Sequence, residues 1–144
     1  MKKTIAILLL IFLVIVICIF YKINQIKVEK EEIALYNSEF EEYNKNDLNG
    51  IDITTIINKA INKNESNSVE KNEDGLYIDN GKDSIKIDIT LINNNVTYPM
   101  EAINELGMSS FTAYFAEVKF NCKEIKYHES TGKISYMLFE STTY

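Results

Sequence analysis

The stretch that decides the fold is "IDITTIINKAINKNESNSVEKNEDGLYIDNGKDSIKIDITLI", Ile51 to Ile92, because its apolar period changes partway along. At its start, Ile53, Ile56, Ile57, Ala60 and Ile61 recur at i, i+3, i+4, i+7 and i+8. That spacing places them on one face of an amphipathic helix. Asp52 is the expected N-cap, after the Asn49-Gly50 breaker pair. "NKNESNS" ends the helix in a polar loop. At the other end, Ile85, Ile87, Ile89 and Leu91 alternate with Lys86, Asp88 and Thr90. Period two means a strand with one buried and one wet face. Leu76-Tyr77-Ile78, between "EDG" and "DNG", reads as a further short strand. A helix followed by strands predicts an α+β fold in which the isoleucine face packs on a small antiparallel sheet.

Downstream, "NNN" (Asn93 to Asn95) breaks the strand. Pro99 suits the first turn of a short helix, with Met100, Ile103 and Leu106 on one face and Gly107 as its stop. Phe111 and Phe115 favour a helical turn in Met108 to Ala116. "EVKFNCKEIKY" reads as a strand whose apolar parity switches between Cys122 and Ile125. A bulge near Lys123-Glu124 restores one face. "ISYMLFE" is the next strand, and the "HESTG" between them is a hairpin turn with Gly132 in a left-handed position.

Upstream, "TIAILLLIFLVIVICIFY" (Thr4 to Tyr21) contains no charge. As a helix its 18 residues span about 27 Å, close to the hydrocarbon thickness of a bilayer. Ile17, Cys18, Ile19 and Phe20 offer no small-residue cleavage pattern, so an uncleaved signal anchor is expected. Lysines lie on both sides of the run, and the positive-inside vote is weak. An anchor so near the N-terminus puts the following domain outside the cytoplasm. From Lys22 the helical pattern continues, with Ile26, Ile33, Tyr36, Phe40 and Tyr43 on one stripe and six glutamates filling the rest as a solvated face. The expected organisation is an anchor at 1–21, an amphipathic helix at 22–48 and a small α+β extracytoplasmic domain at 49–144.

Charge and chemistry narrow the function. The chain has 144 residues and a net charge of −6, with every one of its basic side chains a lysine. From Lys22 onward 13 Lys face 21 Asp and Glu, leaving −8. An acidic chain without arginine is a poor partner for nucleic acid. Two cysteines, Cys18 and Cys122, give no disulfide framework, and the lone histidine gives no His-rich metal site. Thr131-Gly132-Lys133 lacks the upstream glycine of a phosphate loop and is followed by a strand where that loop needs a helix. Cys122 and His128 stand about 20 Å apart along extended chain, too far for a catalytic pair. His128 is therefore expected as an exposed turn residue and Cys122 as a buried small apolar one. No catalytic, cofactor-binding or metal-binding residue is assigned. The expected partners are the lipid bilayer, through residues 4–21, and an envelope protein.

"YNSEFEEYNKNDLNGIDITTIINKAINKN", "SIKIDI", "TYPMEAI" and "FNCKEIKYHESTGKISYMLFE" together resemble an uncharacterised family of small, N-terminally anchored proteins from low-GC Gram-positive bacteria. The resemblance implies an envelope location and carries no activity and no site residue. A long N-terminal helix followed by a small sheet domain is also similar in architecture to type IV pilins and pseudopilins. The chain lacks a pilin processing site and has no Glu within Thr4 to Tyr21. The function expected is a membrane-anchored extracytoplasmic interaction or accessory protein, not an enzyme, with a pseudopilin-like subunit as the alternative.

Overall fold

The structure is a computed structural model that describes residues 2–93 and 95–142; Asn94, at the centre of the Asn93–Asn95 break, lies outside the described residues, as do Met1, Thr143 and Tyr144. The chain divides into two units between Leu35 and Tyr36. In the first, helix α1 (Lys2–Glu41) carries a segment long and apolar enough to cross a membrane, none of it buried. Leu10, Ile11, Phe12, Leu13 and Val14 are consecutive and each is at least 50% exposed. At about 100° per residue, five consecutive side chains surround the axis, so no polar face exists there.

The second unit, from Tyr36, holds the last turns of α1 and every other element. These are α2 (Gly50–Ser66), β1 (Lys86–Leu91), β2 (Val96–Pro99), α3 (Met100–Leu106), α4 (Met108–Tyr114), β3 (Phe120–Tyr127) and β4 (Ile134–Ser141). The fold is α+β. The strand order is β2-β1-β4-β3, with β1–β2 and β3–β4 antiparallel and β1–β4 parallel. The sheet is thus mixed, where the sequence pattern suggests a wholly antiparallel one. Both hairpins are local, but α3 and α4 carry the chain across to the far edge. β4 then returns between β3 and β1, running parallel to β1. Leu76–Ile78 is no strand; Tyr77 makes only an isolated bridge to Lys71, and β2 supplies the fourth strand instead.

The core follows from the periods. Ile53, Ile56, Ile57 and Ala60 of α2 are fully buried, as are Ile87 and Ile89 of β1 and Met137 and Phe139 of β4. Phe40 and Leu48 join them, with Tyr36 and Tyr43. The expected bulge is present: the β3–β4 register shifts between Cys122 and Glu124, which returns Ile125 to the face of Met137. Leu48 pairs with Phe120 through two backbone bonds of 2.8 and 2.9 Å, covering that stretch of the β3 edge.

Helix α2 starts at Gly50, two residues before the expected cap. Asn49 is the N-cap: its side chain accepts from Ile51 and Asp52, and Asp52 accepts in return from the Asn49 backbone. The reciprocal pair is a capping box. Gly50 is required by proximity, since a Cβ there would stand 2.9 Å from the Phe115 carbonyl oxygen. At the C-terminal end the polar run hides a structural residue. Asn64 is completely buried; it donates to the Ile85 carbonyl at 2.7 Å and accepts from the Ile85 amide at 2.8 Å. Its amide thus pairs with β1 as a neighbouring strand would.

Candidate functional site

The residue types most suited to chemistry converge where the β3–β4 turn meets the loop before β1. That loop is self-organised. Asn80 Oδ1 accepts from the amides of Lys82, Asp83 and Ser84, each at 3.0 Å. Asp79 Oδ1 accepts from the Gly81 amide at 2.8 Å and from the Ser84 hydroxyl at 3.0 Å. These bonds, the Gly81 amide first, then the Ser84 hydroxyl and the nearby His128, hold the Asp79 carboxyl below its ordinary value. The turn closes through Gly132 N to His128 O and His128 N to Lys133 O, both 2.8 Å, with Gly132 at φ 72° as the sequence predicts.

The turn is fastened to the loop by three side chains. Ser130 donates to the Gly81 carbonyl, Thr131 to the Lys82 carbonyl at 2.6 Å, and His128 Nε2 lies 2.7 Å from the Ser84 carbonyl. His128 is therefore a buried clasp, only 5% exposed, and not the exposed turn residue its sequence neighbourhood suggests. The reason is long-range. The partner carbonyl lies 44 residues away, and no local pattern encodes it.

Asp79, His128 and Ser84 are the residue types of a hydrolytic relay, but their bonds are those of a clasp. A relay needs the serine hydroxyl on a histidine nitrogen. Here a carbonyl acceptor requires the proton on Nε2, the Ser84 hydroxyl points to Asp79, and His128 Nδ1 is 3.6 Å from Asp79. Cys122 is half-buried, and burial pushes its thiol up, away from a nucleophilic thiolate. Among the described residues no group of three His, Cys, Asp or Glu side chains could hold a metal ion.

Beside the clasp lies a cavity of about 270 Å³. The strand register builds its floor: Lys86 of β1 and Lys126 of β3 both pair with Tyr136 of β4. Paired residues share a face, so the phenol stands between two lysines. Lys126 Nζ lies 4.8 Å from the Tyr136 ring centre, and the Tyr136 hydroxyl donates to Asp88 at 3.2 Å. Burial, then the Asp88 charge, push that phenol up to about 12. Ser135 is the extra residue of a second bulge, between the Tyr127–Ile134 and Lys126–Tyr136 pairs, and lines the cavity together with Tyr77 and Asp79. Sequence reading marks Lys86 only as wet-face; the row with Tyr136 and Lys126 requires the parallel β1–β4 pairing, which has no local signature.

A second cleft, about 310 Å³, is apolar and lies among β1, β2, α3 and α4, with Leu106 and Tyr114 at its rim, 70% and 78% exposed. Comparison with protein-family models, with curated proteins and with solved structures finds no match to this chain.

Proposed function

We propose that the chain is a single-pass membrane protein whose folded unit works outside the cytoplasm as an interaction module of the cell envelope. The observation that carries this reading is the first part of α1, where five consecutive apolar side chains surround the axis with no polar face. Each exposed aliphatic side chain forgoes about 1.5–3 kcal/mol of burial in water. A bilayer recovers that energy and a solvated helix does not. The orientation proposed puts Lys2 and Lys3 on the cytoplasmic side of the apolar run, and Lys22, Lys27 and Lys30 beyond it keep the positive-inside preference weak. The folded unit is given a binding role because Asp79, Ser84 and His128 use their hydrogen bonds to hold backbone together, while the neighbouring cavity offers an aromatic floor with donors and acceptors around it.

The test is protease added to intact cells after wall removal, with mass spectrometry of the membrane fraction. The expected result is loss of the folded unit together with recovery, before digestion, of a species that retains Thr4 to Tyr21. A folded unit that survives protease until the membrane is permeabilised contradicts the orientation. A mature form beginning near residue 22 contradicts the anchor.

A further inference from the structure

The cavity beside the clasp has a composition that selects among ligand classes. Two ammonium groups face it, Lys86 and Lys126, but each already has a carboxylate: Asp88 at 3.5 Å and Glu124 at 3.2 Å. Asp79 adds a third carboxylate at the wall. Three negative groups against two positive ones create no field for an anion, and the chain as a whole is acidic at −6. A cation is no better served, since it would meet both ammonium groups. What the lining offers is a mixture: Lys86, Lys126 and Ser135 as donors, Asp79 as acceptor, and the Tyr136 ring as an apolar platform. The Ser135 side chain makes no hydrogen bond to another described residue, so its hydroxyl is open to a ligand.

A ligand that bears donors and acceptors on the same atoms, and an apolar C–H face between them, matches that mixture. Hydroxyl groups on a saturated ring have both properties. Charge-assisted bonds from lysine and to aspartate are the strong ones available to a neutral hydroxyl. Ligand pockets for drug-sized molecules hold about 300–1,000 Å³, and this cavity of about 270 Å³ falls just below that range. It has room for one ring and not for an extended chain. We infer that the cavity framed by Lys86, Tyr136, Lys126, Ser135 and Asp79 is a shallow saccharide subsite that takes one neutral sugar ring over Tyr136. The inference rests on the reading of the folded unit as an envelope interaction module and names its ligand class. Lys126, more than half exposed and lying over the ring, is the side chain that must shift to admit the sugar.

The test uses the full chain in phosphatidylcholine nanodiscs, free of glycosidic detergent. Saturation-transfer NMR is recorded with glucose, N-acetylglucosamine, and the β-linked disaccharide of each. Glycerol 3-phosphate and lactate serve as anionic probes. The expected result is transfer to the ring protons of at least one saccharide, with a dissociation constant of order 1 mM, as few polar contacts and one stacked face allow. Tyr136→Leu and Ser135→Ala should each weaken it, the first by about tenfold, the factor that corresponds to loss of a stacked aromatic contact. Melting of both variants is measured alongside; should Tyr136→Leu unfold the unit, Ser135→Ala carries the decision. Absence of transfer to every saccharide, binding by the anionic probes alone, or saccharide binding unchanged in the variants overturns the inference. Saccharide binding by a chain that does not partition into membranes would defeat the anchor and leave the subsite; the reverse result would defeat the subsite alone.

Discussion

From Leu10 to Val14, helix α1 exposes every apolar side chain by half or more, whereas helix α2 hides Ile53, Ile56, Ile57 and Ala60 completely. Both helices are rich in isoleucine, and the difference lies in what stands between the isoleucines. In α2, Asp52, Thr55, Asn58 and Lys59 interrupt them at the period of the helix, leaving one face to bury and one to hydrate. In the first part of α1 nothing interrupts them, and burial of one face would still leave the others apolar. The number of apolar residues does not set a helix's destination. Their angular distribution does.

The sharpest way to break this contrast is to place the same charge in both helices. Ile57→Asp buries an unpaired carboxylate, at a cost of several kcal/mol, against a total stability of about 5–15 kcal/mol for a typical domain. The unit should lose its cooperative melting transition. Ile11→Asp, at a half-exposed position of α1, should leave that transition where it was. Circular dichroism of the two full-length variants decides, and similar melting curves would show that α2 is not the core helix described.

The contrast also runs within α2, between its apolar stripe and its buried asparagine. Asn64→Leu removes both bonds to Ile85, leaving a buried amide and a buried carbonyl unpaired. At about 1–3 kcal/mol for each unsatisfied group, the loss should be about 2–6 kcal/mol. A fully tolerated leucine, read by denaturant unfolding, would mean that the site is governed by its apolar surroundings after all.

His128→Ala tests the clasp. It deprives the Ser84 carbonyl of its partner and should destabilise the unit by about 1–3 kcal/mol. In a unit of this size that lowers the melting temperature by about 4–8 °C for each kcal/mol. Unchanged melting would return His128 to the role of a surface turn residue. The smallest effect has the opposite sign. The buried Tyr77 hydroxyl has no hydrogen-bond partner among the described residues, so Tyr77→Phe should leave stability unchanged or raise it by about 1 kcal/mol. A clear loss of stability would reveal that the hydroxyl is bonded.

These residues also show what the sequence could express. The period change between α2 and β1, the Lys123–Glu124 bulge, the left-handed Gly132 and the helical turns at Met100 and Phe111 were legible because each is decided within about eight residues. The parallel β1–β4 pairing, the Asn64 bridge and the burial of His128 were not. Each joins segments 21 or more residues apart, and a polar residue in a polar run carries no sign that its partner is a buried backbone group. Lys59 shows the same limit on a smaller scale: its place on the polar face is legible, while its ion pair with Glu42 and its position 5.1 Å above the Tyr43 ring depend on where α1 ends. The cavity was illegible for a related reason, since its Lys86–Tyr136–Lys126 floor comes from three strands whose order no local pattern states.

Alkaline carbonate extraction of membranes decides whether α1 begins as a membrane anchor. The native chain should stay in the membrane pellet. A variant with Ile11→Lys and Val14→Lys, each charge costing about 2.5–3.5 kcal/mol at a span's centre, should be extracted into the supernatant while keeping the native melting transition. Release of the unaltered chain into the supernatant, with Thr4 to Tyr21 still attached, would contradict the anchor.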